Sequence, residues 1–185
     1  MKIVIALAFL STFSAHGACK YMIENKDLKI EWTGFKTMKK VGVTGTFKKY
    51  KLSNFNSSSD LKKSIAGSTV EIDGSSVFSK DKVRDSKLAK NIFSTLLGGS
   101  KIMATVDSIN DNFLNVKFTL NGKSLNSSMK YTVKNNVLVA SGSIDMLSFS
   151  MDRQHAAISK ACSLKHEKKT WTDVDLKLTA NFTCK

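Results

Sequence analysis

Apolar and polar residues alternate with a period of two along most of this chain, in short runs separated by turn residues. "LKIEWTGFK" puts Leu28, Ile30 and Trp32 on one face, and "VGVTGTFKKY" does the same with Val41, Val43 and Phe47. Val70 and Ile72 mark a third run in "STVEIDGSSV", and "KIMATVDSI", "FLNVKFTL", "LNSSMKYTV" and "VLVASGSIDM" follow. Alternation of this kind predicts half-buried strands. The dipeptides Asp111-Asn112, Asn121-Gly122 and Asn135-Asn136 stand between the later runs, so consecutive strands there are expected to pair as hairpins. In the last run, "WTDVDLKLTANF", Val174, Leu176, Leu178, Ala180 and Phe182 form one row, while Asp173, Asp175 and Lys177 occupy the positions between.

These runs make eight strands, and the predicted fold class is mainly β. Eight antiparallel strands can close into a barrel whose interior holds one ligand, although alternation alone leaves a sandwich open. The chain contains no proline, which removes one common device for blunting exposed sheet edges. Closure makes that device unnecessary.

Two segments break the period. "SKDKVRDSKLAKNIFSTLLGG" offers a cap at Ser79 or Asp81, and Val83, Leu88, Ile92, Phe93, Leu96 and Leu97 recur at helical spacing before Gly98-Gly99. "SMDRQHAAISKACSLKHEKK" predicts a second helix over about residues 152–166. Both are too short for a domain and are expected to cover a barrel end or lie against its wall.

The first residues, "MKIVIALAFLSTFSAHGAC", change the picture by placing the protein in a compartment. The apolar block 3–13 is too short to span a bilayer as a stable helix. Ala15-His16-Gly17 follows it with small residues at the positions that signal peptidase reads. Residues 1–17 are therefore read as a secretory signal and residues 18–185 as one domain, exported to the periplasm or secreted. A lipoprotein signal needs an aliphatic residue where His16 stands.

Export permits disulfides. Of Cys19, Cys162 and Cys184, the first and last can meet if the first and last strands of a closed sheet are neighbours; sequence alone does not decide the connectivity.

The chain carries 29 Lys and Arg against 15 Asp and Glu, and loss of Lys2 with the signal leaves a surplus of 13 positive charges. The lysines are scattered, as in "KDKVRDSKLAK" and "FKKYKL", with no groove-reading motif or stacking aromatics. No nucleic-acid partner is expected. The charge reads as a solvated basic surface with weak attraction to anionic lipid head groups.

Candidate chemistry is sparse. His155 and His166 are the histidines left after the signal, and no nucleophile elbow, paired-cysteine metal motif or phosphate-cradling glycine loop is present. Neither an enzyme nor a cofactor is expected. On one helix, His155, Cys162 and His166 would share a face that could hold zinc or copper. A buried thiol flanked by two histidines accounts for the same spacing, and no metal is assigned.

Taken in order, a Trp-Thr-Gly-Phe-Lys strand, a Gly-Thr-Phe strand, "TVEID", a helix opened by Arg84-Asp85, an Asn-Gly hairpin and a closing "WTDVDL" resemble the YceI-like family of periplasmic lipocalin-like proteins. The resemblance covers essentially all of residues 18–185. It implies an extended eight-stranded antiparallel barrel with a lengthwise tunnel for a polyisoprenoid, long-chain fatty acid or fatty amide, often in a homodimer and without catalysis. The tunnel would be lined by Phe47, Val70, Ile72, Phe93, Ile102, Ala104, Val116, Phe118, Val174, Leu176, Leu178 and Phe182. The small residues Ala104, Ala140 and Gly142 would leave its interior unfilled. Arg84, Asp85, Tyr131 and Trp171 are the head-group candidates, with Arg84-Asp85 also readable as a structural ion pair or cap. The alternative is a basic exported module that acts through its outer face.

Overall fold

Residues 19–185 are described by a computed structural model; the expected signal, 1–17, lies outside them. The strands are β1 (Tyr21–Met22), β2 (Leu28–Lys36), β3 (Val41–Phe47), β4 (Tyr50–Ser53), β5 (Thr69–Asp73), β6 (Val77–Phe78), β7 (Lys101–Ile109), β8 (Phe113–Leu120), β9 (Lys123–Lys134), β10 (Val137–Asp145), β11 (Thr170–Asn181) and β12 (Thr183–Cys184). Three helices interrupt them: α1 (Leu61–Ile65), α2 (Lys82–Asn91) and α3 (Asp152–Cys162).

Ten strands form one antiparallel sheet in the order β4-β5-β7-β8-β9-β10-β11-β2-β3-β6. Its two nominal ends are not edges. β3 runs into β4 across Lys48-Lys49, and β5 runs into β6 across a short 3-10 turn at Gly74–Ser76. The pairs Tyr50↔Ile72 and Phe47↔Val77 lie on the two sides of this double bend. Across it the Lys48 amide donates to the Ser76 carbonyl at 3.0 Å, and the Asp73 amide donates to the Lys49 carbonyl at 3.0 Å. The ladder therefore closes on itself, and counting each bent strand once gives the eight strands expected. At the bend, a Cβ on Gly74 would stand 2.4 Å from the Phe93 ring and 2.9 Å from the Ser100 carbonyl, so only glycine lets these segments approach.

Local sequence explains the hairpins. Asn121 and Gly122 both have positive φ (53° and 73°), as do Asn135 and Asn136 (51° and 61°), the backbone of the tight turns whose twist matches paired strands. Between β7 and β8, the Asn110 side chain accepts from the Asn112 and Phe113 amides at 3.0 and 2.9 Å.

Each predicted helix is shorter than its periodicity suggested. α2 stops at Asn91 and gives way to a 3-10 turn at Phe93–Thr95. α3 stops at Cys162, so His166 lies in the following turn and not on the helix. The backbone turns off the helix there, with Glu167 and Lys168 at positive φ (50° and 61°).

The two ends of the barrel differ. At one, β12 pairs with β1, Cys19 is bonded to Cys184 with Cα atoms 5.3 Å apart, and α1 follows β4. Phe182 sits there, stacked on Phe55 at 6.0 Å and edge-on to Tyr21 at 6.1 Å. This is the disulfide end. α2, α3 and the β2–β3 turn gather at the other. Cys162 is a free thiol.

Candidate functional site

The inward rows of the barrel do not fill it. They enclose a cavity of about 410 Å³, within the range of roughly 300–1,000 Å³ typical of small-molecule sites. Its wall is set by alternation on β11, where Val174, Leu176 and Leu178 pair with inward residues of β10 and β2, including Leu178↔Ile30 and Leu176↔Trp32. Asp175 and Lys177, on the opposite face, are exposed. Asp173 is half-buried and paired with Lys40 at 2.7 Å.

All twelve residues expected along the tunnel lie on the cavity wall, from Phe47, Val70 and Ile72 to Phe182. Phe47 and Phe93 meet edge-to-face at 5.7 Å. The small-residue row is used less openly than expected. Ala104 lines the cavity, Ala140 is fully buried, and the space over Gly142 is taken by Met129, whose side chain would lie 3.0 Å from an added Cβ. Gly45 has a similar role, since a Cβ there would fall 2.3 Å from the Trp32 ring. The indole lies against the glycine and donates from Nε1 to the Thr46 carbonyl at 3.3 Å.

Of the four head-group candidates, Arg84 and Trp171 reach the cavity and Asp85 and Tyr131 do not. Tyr131 stands near the disulfide end and donates its hydroxyl to the Asn110 carbonyl at 2.6 Å. Asp85 accepts from the Ser79 amide at 2.8 Å and from the Ser79 hydroxyl at 2.5 Å. Arg84 pairs with Asp81 at 3.2 Å, and Asp81 accepts the Arg84 amide as the cap of α2. The Arg84-Asp85 ion pair is thus replaced by two separate contacts that fasten the helix start. Trp171 owes its position to an irregularity in β11, where the pairing shifts between Thr170↔Lys36 and Val174↔Gly34. Its indole donates to the Thr37 carbonyl at 2.8 Å, with the Lys169 and Lys40 ammonium groups 4.5 and 5.0 Å from the ring.

At the end where α2, α3 and the β2–β3 turn gather, exposed Val83 and Lys165 lie on the cavity wall and mark its mouth, and there the wall becomes basic. Lys36, Arg84, Lys87, Lys165 and His166 all border the cavity, with Asp81 among them, paired with Arg84. Lys87 donates to the Ala161 carbonyl at 2.7 Å and so ties α2 to α3. Burial, then the charges of Lys36, Lys87 and Arg84, hold the His166 imidazole below the ordinary histidine value. Continuing the β2 alternation from Leu28 through Gly34 arrives at Lys36, so that residue is readable from the pattern. Lys87, Lys165 and His166 are not, because only the meeting of α2 with the turn after α3 brings them to the mouth.

The metal alternative finds no geometry. His155 Nε2 lies 3.0 Å from the Thr170 carbonyl, and His166 Nδ1 lies 2.8 Å from the Thr170 hydroxyl. Among the described residues no three His, Cys, Asp or Glu side chains gather as ligands.

A YceI-like domain profile matches residues 21–182. No curated protein matches the chain. Among solved structures, the fold is similar to a polyisoprenoid-binding domain from Saccharophagus degradans implicated in plant cell wall breakdown. That pair has a TM-score of 0.61 at 12% identity and covers 91% of this chain and 99% of the other. It is also similar to Burkholderia cenocepacia BcnA, with a TM-score of 0.57 at 18% identity over 85% and 98% of the two chains. The YCEI protein of Campylobacter jejuni gives 0.53 at 16% identity over 78% and 86%.

Proposed function

The chain belongs to the YceI-like family, and from that premise we propose that it binds one long-chain amphiphile, with the tail along the barrel cavity and an anionic head at the basic mouth. One observation carries this reading: an apolar cavity of about 410 Å³ with Lys36, Arg84, Lys87 and Lys165 on its wall where α2 and the turn after α3 meet. Each methylene moved from water onto such a wall contributes about 0.8 kcal/mol, from which the cost of ordering the chain is subtracted. The head then decides between ligands of equal length. Lys36, Arg84, Lys87 and Lys165 favour a carboxylate or phosphate over a neutral amide, since a charged acceptor makes stronger hydrogen bonds with cationic donors.

Carriage, storage or sensing of such a ligand in the periplasm, and a homodimeric state, complete the proposal. The residue 1–17 pattern supports export. Sedimentation velocity tests the dimer. The binding reading is tested by displacement of a fluorescent fatty acid with chain-matched palmitate and palmitamide. The expected order is palmitate ahead of palmitamide, and both ahead of decanoate. Failure of all three to displace the probe would contradict the reading and favour a module that works through its outer face.

A further inference from the structure

The rim of the mouth carries exposed apolar side chains, one of which, Val83, also borders the cavity. Met38, in the β2–β3 turn, is 72% exposed, Val83, in the first turn of α2, is 63% exposed, and Leu164, just after α3, is 97% exposed. These three segments are held together around the opening. Trp171 donates to Thr37, the Thr37 amide donates to the Lys169 carbonyl at 3.0 Å, and Lys87 bridges α2 to α3. The apolar tips stand among exposed cations: Lys39 and Lys40 beside Met38, Lys80 and Lys82 before Val83, and Lys165 and Lys168 after Leu164. Glu167 is the one acidic residue in the turn that follows α3.

We propose that this rim is a docking surface for an anionic lipid bilayer, with Met38, Val83 and Leu164 entering the head-group layer and the surrounding lysines contacting lipid phosphates. Charge complementarity selects the partner, because a ring of lysines around protruding aliphatic tips matches a negatively charged interface. Position supports it as well. The rim surrounds the opening of the cavity, so docking would seat that opening on the bilayer and spare a ligand's tail from crossing water. The proposal rests on where the mouth is, and not on which ligand the cavity takes.

Co-sedimentation of the mature protein with vesicles tests it, using phosphatidylcholine alone and phosphatidylcholine mixed with phosphatidylglycerol. Binding is expected to the mixed vesicles and to weaken as salt rises. Lys39→Glu with Lys168→Glu should reduce it about thirtyfold or more, and Met38→Ser with Leu164→Ser should also reduce it. Met22→Ser with Phe113→Ser, exposed residues at the disulfide end, should leave it unchanged. A Leu164→Trp protein should show blue-shifted emission on the mixed vesicles and quenching by brominated acyl chains.

Displacement of the fluorescent fatty acid in solution should be unaltered in the Met38→Ser, Leu164→Ser protein, which separates docking from cavity binding. Four results would overturn the proposal. They are equal binding to both vesicle types, equal loss from the disulfide-end variant, emission from the Leu164→Trp protein that does not shift while the protein sediments, or no vesicle binding at all, as for a rim that docks an acidic protein.

Discussion

At His166, burial and the neighbouring Lys36, Lys87 and Arg84 charges act in the same direction, favouring the neutral imidazole in the folded protein. The unfolded chain therefore binds more protons just below the ordinary histidine value. The contribution to stability is fully present above that value and is lost as pH falls through the lowered one. An anionic head group placed at the same mouth offsets the charges of the three cations and so raises the affinity for a proton. Binding of a long-chain alkyl sulfonate, whose head does not titrate in this range, should tighten several-fold as pH falls from about 7.5 to about 5.5. Titration calorimetry at both pH values checks this, and His166→Gln should flatten the profile. On β11, Leu178→Asp should abolish binding while the fold, followed by circular dichroism, persists. A carboxylate on that wall must be desolvated at a cost of several kcal/mol, whereas Lys177→Ser, on the watered face, should bind normally.

Elements are legible where a local pattern decides them. The alternation of Val174, Leu176 and Leu178 places that strand's inner face, and Asn121-Gly122 and Asn135-Asn136 place two hairpins, because period and turn chemistry are local properties. Height along the barrel is not local. Tyr131 shares the inward face with Ala140 but stands near the disulfide end, at the level where its hydroxyl meets Asn110. Asp85 is spent on Ser79, a partner that no spacing rule singles out. In sequence, β3 and β4 read as one straight strand, since nothing in "TFKKY" marks the break that pairing with β5 and β6 imposes. At this scale, Gly45→Ala should cost about 1–3 kcal/mol in a denaturant melt, because the added methyl displaces Trp32 from its seat. The Cys19–Cys184 bond closes a separation of 165 residues, and Cys184→Ser should lower stability by about 2–4 kcal/mol, with the loss absent when both proteins are compared under reducing conditions.

Considered whole, the described residues form a ring of eight strands without a free edge, with aromatic packing and a disulfide at one end and a rim rich in cations at the other. Such a shell forgoes packing contacts along its interior, so an occupant should stabilise the fold in proportion to its occupancy. Native mass spectrometry of the mature protein, released gently from the cells that make it, tests this most directly. It should show a species heavier than the polypeptide by one amphiphile per barrel, removable by delipidation with a fall in melting temperature. Adding back a long-chain acid should restore the melting point, and a shorter acid should restore less. A spectrum containing only the bare polypeptide mass, together with a melting temperature that no long-chain amphiphile raises, would contradict the account.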